Sequence, residues 1–184
     1  ERPAIEMLPH VKPDHVQRYL KRGHAQPQGL KWEHQVFTAE GALCDEVAKR
    51  ILEGRIVGWC QGRAELGPRA LGNRSILIRP DDLALAERLS RAVKDRALYR
   101  PYAFSITSAD APKVLDCPAE HLPFNRWMQY AVPVRPEARA QVRAALHVDD
   151  TTRPQVCFPE DNPRFHRLLE TLGRTFGLSV VLNT

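Results

Sequence analysis

The chain has 184 residues, of which 43% are hydrophobic and 27% are charged, and this composition is typical of a globular protein with one real core. A net charge of +5 favours an anionic partner, although charge alone does not separate nucleic acid from a nucleotide or a phosphate. No run approaches the ~20 apolar residues of a membrane span, and the first residues lack the apolar core of a signal peptide, so we expect a cytoplasmic protein without a membrane partner.

The chain begins irregularly and then becomes regular. Residues 1–40 are rich in proline and histidine, contain one short helical pattern at 14–22, and are interpreted as a connector from another domain. Apolar residues then recur at helical spacing until Gly54, where a glycine is expected to end the helix. The segment "RIVGWC" at 55–60 predicts a buried strand and "SILI" at 75–78 predicts a second strand, with a loop between them.

The middle of the chain continues this alternation of helices and strands. Either Asp81 or Asp82 is expected to cap a helix that reaches Val93. The segments "YAFSIT" at 102–107 and "MQYAVPV" at 128–134 predict strands.

The last third contains the clearest helix in the sequence. A helix is predicted from Pro136 to Leu146, followed by an extended segment "RPQVCF" at 153–158. Asn162 then caps a strongly amphipathic helix that Gly177 ends, and "LSVVLNT" follows as a strand. The whole pattern predicts an α/β (α+β) domain with a mixed, twisted sheet flanked by helices.

The four cysteines, Cys44, Cys60, Cys117 and Cys157, lie far apart and form no CxxC pair. They therefore predict buried free thiols, with neither a zinc site nor a disulfide framework.

Fixed positive charge is concentrated in the predicted loop "GRAELGPRALGNRS" between the first two strands. Arginines at 63, 69 and 74 can bind phosphate or carboxylate in a bidentate fork, and the glycines let backbone N–H groups approach the same anion. Glu65 is expected to orient one arginine. The alternative is an internal ion-pair network in which Glu65 and the arginines only brace the loop.

Four ordered blocks of this sequence resemble the C-terminal domain of the NodU/CmcH-type O-carbamoyltransferases. They are "GWCQGRAELGPRALGNRSIL", "VKDRALYRPYAFSI", "HVDDTTRPQV" and "NPRFHRLLETLGRTFGLSVVLNT". The family pattern has Glu where this chain has Ala97 and Gly where it has Asp150, and it continues into Ser-Phe-Asn after Thr184. The resemblance implies a YrdC-like domain over residues 41–184, with an N-terminal actin-like domain absent from this sequence and the C-terminus truncated.

The resemblance also implies a function. The family's YrdC-like domain uses ATP and carbamoyl phosphate to form carbamoyl-adenylate, and the actin-like domain, which carries the metal, then transfers the carbamoyl group to an acceptor hydroxyl. We therefore expect ATP with Mg²⁺ as the cofactor and no metal site within this chain.

Basic and polar residues of the matching blocks are assigned to that half-reaction. The residues expected to act on the phosphates and the carbamoyl group are Lys94, Arg96 and Arg63. The residues expected to bind substrate or nucleotide are Arg69, Arg74, Asn73, Arg100, His147, Asp149, Arg153, Gln155, Asn183 and Thr184. His147 and Asp149 are expected to share one side of a strand, without the third ligand that zinc requires.

Two alternatives remain open from the sequence. Relatives of the YrdC-like fold bind RNA, and arginines on a concave face can contact a phosphate backbone without reading its sequence. The domain could also bind a nucleotide without catalysis and only regulate a partner. We favour the transferase interpretation, in which nucleic acid is not a partner.

Overall fold

A computed structural model of the chain describes residues 4–7 and 33–184. The described residues divide into two compact units between Leu43 and Cys44. In the first unit, strands β1 (Ala4–Met7) and β2 (Glu33–Val36) pair in parallel. The helical pattern predicted at 14–22 lies outside the described residues, and the domain boundary after residue 40 stays a prediction.

The first two α-helices lie where the sequence predicts them. The helix α1 spans Glu40–Leu52, and Gly54 follows it with a φ of 77°. The helix α2 spans Leu83–Ala92, and the Asp82 side chain caps it by accepting the Leu85 N–H at 2.9 Å.

The last long helix is capped at both ends. The short helix α3 spans Ala111–Val114, and α4 spans Pro163–Phe176. The Asn162 side chain accepts the Phe165 N–H at 3.2 Å at the N-terminus of α4, and Gly177 is left-handed at its C-terminus with a φ of 85°. These caps satisfy backbone groups that a helix end otherwise leaves unpaired.

Five strands form a mixed sheet. They are β3 (Val57–Cys60), β4 (Arg74–Ile78), β5 (Ala103–Thr107), β8 (Gln155–Cys157) and β9 (Val180–Asn183), while β6 (Val132–Pro133) pairs separately with β7 (Thr151–Thr152). The strand order is β3-β4-β9-β5-β8, and within this sheet only β5 and β8 pair in parallel. The predicted mixed sheet with flanking helices is confirmed.

The central strands are covered on both faces. Phe104 and Ile106 of β5 point into a cluster formed with α2 and the 3₁₀ segment Pro136–Ala145. The helix α4 packs on β5 and β9 with side chains outside that cluster. Since successive side chains of a strand point to opposite faces, α4 covers the other face of the sheet.

Three predicted elements differ from the structure. The strand predicted at 128–134 is reduced to Val132–Pro133, because Met128 adopts a φ of 53°, which breaks extended structure. The helix predicted to reach Leu146 is instead a 3₁₀ segment, Pro136–Ala145, interrupted by non-helical geometry at Val142. The strand β3 is buried on one face only.

The cysteine prediction is partly wrong. All four thiols are free, and Cys44 and Cys157 are buried. Cys117 is half-buried. Cys60 is exposed, because it lies on the open face of β3. In the described part of the chain, no helix has both the length and the apolar content that a membrane span needs.

Candidate functional site

Sheet topology gathers the functional residues at one edge. The register places Cys60 at the end of β3 opposite Arg74 at the start of β4, and Asn183 at the end of β9 opposite Ala103 at the start of β5. Because β8 runs parallel to β5, its start at Gln155 lies at the same edge. Chain segments that precede or follow these strands therefore converge, although they are far apart in sequence.

A cavity of about 950 Å³ opens at this edge. Its lining carries six basic residues and two acidic ones. The basic residues are Arg69, Arg74, Lys94, Arg96, Arg100 and Arg153, and the acidic residues are Glu65 and Asp95. Asn183 and Thr184 complete its polar wall. Such an excess of positive charge in one concave surface favours an anionic ligand.

The Glu65 carboxylate organises the loop between β3 and β4. Its Oε1 accepts the backbone N–H groups of Leu71 at 2.8 Å, Asn73 at 2.8 Å and Arg74 at 3.2 Å. Partial burial acts to raise the pKa of Glu65, but these backbone hydrogen bonds outweigh it and hold the pKa below its usual value. The expectation that Glu65 orients an arginine side chain is therefore corrected: its carboxylate fixes the backbone.

Gly72 lies at the most constrained point of this loop. Its carbonyl accepts the Trp59 indole N–H at 2.8 Å and the Gln61 amide at 2.7 Å. Its φ is 99°, and a Cβ there would lie 2.4 Å from the Phe165 ring of α4. Only glycine fits this position without displacing the helix behind the loop.

The three arginines of the loop have different surroundings. The Arg74 guanidinium donates to the backbone carbonyls of Gln61 at 2.7 Å, Asn73 at 2.8 Å and Gly62 at 3.1 Å, so it braces the loop. Arg69 lines the cavity and Arg63 is exposed outside its lining. Of the three arginines predicted to bind an anion, Arg69 and Arg74 thus line one cavity, and Arg63 lies outside its lining.

Lys94 and Arg96 enter the cavity from the C-terminal end of α2. Asp95 between them has a φ of 44°, which turns the chain sharply after the helix. The Lys94 ammonium donates to Thr184 Oγ1 at 3.1 Å. The Arg96 guanidinium donates to the Pro101 carbonyl at 2.8 Å and stacks 4.7 Å from the centre of the Tyr102 ring.

Neighbouring positive charges in this cavity lower one another's pKa values. Burial lowers the pKa of Lys94, and the charges of Arg96 and Arg100 lower it further. Burial likewise lowers the pKa of Arg153, followed by the charges of Arg69 and Arg96. A bound anion would relieve this repulsion.

Several buried polar atoms of the cavity wall lack protein partners. Among the described residues, Arg96 Nε, Arg153 Nε and Asn183 Oδ1 have no hydrogen-bond partner. The first two are donors and the third is an acceptor. Buried polar groups are normally paired, so these atoms leave unused hydrogen-bonding capacity in the residues of the cavity wall.

Gln155 and Asn73 lie behind the cavity lining. Gln155 is buried and donates to the Leu71 carbonyl at 3.0 Å. The Asn73 side chain accepts from Asn162 at the start of α4, at 3.0 Å. Both residues hold the arginine-bearing loop against the sheet and α4.

His147 and Asp149 line a second cavity of about 580 Å³, which shares Arg100 and Tyr102 with the first. The two residues lie on a turn and not on a strand, because Asp149 Oδ1 accepts both the N–H and the hydroxyl of Thr151, at 3.2 and 2.7 Å. Burial lowers the pKa of His147, the charge of Asp149 opposes this shift, and Arg153 reinforces it.

Sequence reasoning missed two residues that shape the site. Tyr102 orients Arg96 through ring stacking, and its hydroxyl is held by Ser90 at 2.8 Å. Met128 enters the cavity wall from the segment predicted as a strand. The Tyr102 contact follows from the turn at Asp95, which has no marked sequence signal.

Within the described part of the chain, no group of three or more His, Cys, Asp or Glu residues could hold a metal ion. Glu65, one of the two carboxylates in the main cavity, is already committed to backbone N–H groups. A Mg²⁺ ion held mainly by protein carboxylates does not fit this donor set, whereas one carried on the phosphate oxygens of a nucleotide needs few protein ligands.

This arrangement defines an α/β domain with a basic cavity at one edge of a mixed sheet. The family described as Carbamoyltransferase C-terminus matches residues 48–184, and the chain belongs to that family. It is thus a domain of the carbamoyltransferase family, as the resemblance predicted.

Three relatives support this assignment. The nodulation protein NolNO of Sinorhizobium fredii is 39% identical over 145 residues, which cover 77% of this chain and 21% of that protein. The 3'-hydroxymethylcephem-O-carbamoyltransferase of Streptomyces clavuligerus is 40% identical over 158 residues, covering 86% and 28%. An uncharacterised protein of Methanocaldococcus jannaschii is 30% identical over 178 residues, covering 96% and 27%. The chain therefore spans between a fifth and three-tenths of the length of these relatives.

Proposed function

We propose that this domain binds ATP and carbamoyl phosphate and forms carbamoyl-adenylate, which a separate actin-like domain of the intact enzyme transfers to an acceptor hydroxyl. In this proposal, residues 41–184 form the adenylating domain and residues 1–40 connect it to the remainder of the protein. The observation that carries the proposal is the convergence of six basic residues on one cavity that contains only two carboxylates.

The proposed reaction balances with one water molecule. Hydrolysis of carbamoyl phosphate gives carbamate and phosphate. A carbamate oxygen then attacks the α-phosphorus of ATP, the bond to the bridging oxygen of the β-phosphate breaks, and pyrophosphate leaves. Because carbamate is already an anion, the attack needs no general base, and the main barrier is the approach of two negatively charged reactants.

Positioning and charge neutralisation are therefore what the protein must supply. Arg69 and Arg153 are suited to phosphate oxygens, because both line the cavity, the first has no hydrogen-bond or ion-pair partner in the described part of the chain, and the second has an unpaired Nε. Arg96 is held rigidly by Pro101 and Tyr102, so it can present its own free Nε without losing side-chain entropy on binding. Lys94 adds a mobile point charge next to Thr184.

The experiment measures pyrophosphate release by the intact enzyme supplied with ATP and carbamoyl phosphate. Lys94→Ala and Arg96→Ala should each abolish this release while thermal unfolding stays near that of the wild type. Arg91→Ala is the matched control. Arg91 is an exposed arginine of α2 that pairs with Glu87 and does not line the main cavity. Its replacement removes the same positive charge.

One result would contradict the assignment of these two residues, and another would contradict the proposed function. Normal pyrophosphate release in both cavity variants would remove Lys94 and Arg96 from the site. Salt-dependent RNA binding by a wild-type protein that has no affinity for ATP would instead support an RNA-binding module.

A further inference from the structure

Asn183 is the most deeply buried polar side chain in the wall of the main cavity. It is 2% exposed, lies at the end of β9, and its Oδ1 has no hydrogen-bond partner among the described residues. The other unpaired atoms of this wall, Arg96 Nε and Arg153 Nε, are donors on cationic groups. The cavity therefore offers one buried acceptor among donors that suit an anion.

A chain of hydrogen bonds fixes the orientation of the Asn183 amide. Gln155 Nε2 donates to the Leu71 carbonyl at 3.0 Å, so Gln155 presents its Oε1 to the neighbouring strand. The Ser105 hydroxyl donates to that Oε1 at 2.7 Å. The Ser105 oxygen in turn accepts from Asn183 Nδ2 at 2.9 Å, and Gln155 Oε1 lies 3.4 Å from the same Nδ2.

Rotating the Asn183 amide by 180° would break this pattern. Its oxygen would then face Gln155 Oε1, and both atoms are acceptors. The network across β9, β5 and β8 thus keeps the amide nitrogen on Ser105 and leaves Oδ1 as the unpaired atom of a side chain in the cavity wall.

A ligand that satisfies this wall needs an anionic group beside an N–H donor. Carbamoyl phosphate has both, because an –NH₂ group and a phosphate flank one carbonyl carbon. Acetyl phosphate has nearly the same shape, but a methyl group replaces the –NH₂ group. We propose that Asn183 Oδ1 accepts an N–H of the carbamoyl group and selects carbamoyl over acyl phosphates; this inference rests on the function proposed above.

The expected selectivity follows from what each ligand leaves unpaired. A methyl group placed against Asn183 Oδ1 cannot donate a hydrogen bond, so this buried acceptor stays unpaired. The missing hydrogen bond should lower kcat/KM for acetyl phosphate by about tenfold to a hundredfold. Sites built to bind a polar group reject analogues that lack the group more strongly than apolar pockets reject added bulk.

The test compares carbamoyl phosphate with acetyl phosphate in ATP-dependent pyrophosphate release by the intact enzyme. The wild type should prefer carbamoyl phosphate by at least about tenfold in kcat/KM. Asn183→Leu, which keeps the volume but removes the acceptor, should lower this ratio by at least about tenfold. Because both substrates are measured on one preparation, the ratio does not depend on the fraction of active protein.

Asn125→Leu is the matched control. Asn125 is also 2% exposed with an unpartnered Oδ1, but it lines a different cavity, so its replacement should leave the ratio unchanged. If Asn183→Leu does not fold, Asn183→Ala removes the same acceptor with less crowding and should lower the ratio similarly.

The remaining outcomes separate this inference from the proposed function. An unchanged substrate ratio in a folded Asn183 variant, or a wild type that uses both phosphates equally, overturns the inference. If the wild type releases no pyrophosphate, the proposed function fails, and calorimetric titration with the two phosphates then decides the role of Asn183. Preferential binding of carbamoyl phosphate that is lost in the Asn183 variant supports it, and equal affinity overturns it.

Discussion

Substituting alanine for the arginines of the loop one at a time should separate a bracing role from a ligand-binding role. Arg74 donates three hydrogen bonds to backbone carbonyls, at 2.7, 2.8 and 3.1 Å. Arg74 is exposed, and water can replace these donors, so each bond contributes at the low end of the usual range. We expect Arg74→Ala to lower the free energy of unfolding by about 1–2 kcal/mol.

That loss corresponds to a fall in melting temperature of about 2–8 °C for a domain of this size. Arg69 has no such contacts, and Arg69→Ala or Arg69→Lys should leave the melting temperature unchanged. Arg69→Lys should still lower carbamoyl-phosphate-dependent pyrophosphate release by at least about tenfold, because an ammonium lacks the planar bidentate geometry of a guanidinium. Arg63→Ala should change neither property, because Arg63 lies outside the cavity lining.

The assay is thermal unfolding together with pyrophosphate release, on the intact enzyme. Near-normal release by Arg69→Lys would refute the assignment of Arg69 to the ligand. A stable but inactive Arg74 variant would refute the bracing role and return this arginine to the phosphates.

Three further predictions concern the walls of the cavity. The pKa of Glu65 is lower in the folded than in the unfolded protein, so its carboxylate stabilises the fold above about pH 4.3, and this contribution is lost as the pH falls through the folded pKa. Melting curves at decreasing pH should therefore show a smaller loss of stability for Glu65→Gln than for the wild type. Gly72→Ala should destabilise the domain by more than about 2 kcal/mol in chemical unfolding, because its Cβ would clash with an aromatic ring of α4. Gly62→Ala is the control: Gly62 has a φ of 49° and open space around it, so the substitution should cost only about 1 kcal/mol. Tyr102→Phe should retain pyrophosphate release because the ring under Arg96 remains, while Tyr102→Leu should reduce it; equal activity of the two variants would contradict the stacking role.

Local signals in the sequence predicted the elements that depend on local contacts. The caps of α4 at Asn162 and Gly177 were predicted because capping uses only residues within one helical turn. The segment at 128–134 was predicted wrongly, since its apolar alternation resembles a strand while the left-handed Met128 breaks extension.

The same distinction applies to the candidate site. The sequence alone determined the family and singled out all six basic residues that line the cavity, because these follow from motifs and from residue types. Only the tertiary structure decided that Arg74, which lines the cavity together with Arg69, also braces the loop, and that the oxygen of the Asn183 amide is left unpaired. These roles depend on partners far away in the chain, such as Ser105 for Asn183, and strand pairing brings such residues together without leaving a local pattern in the sequence.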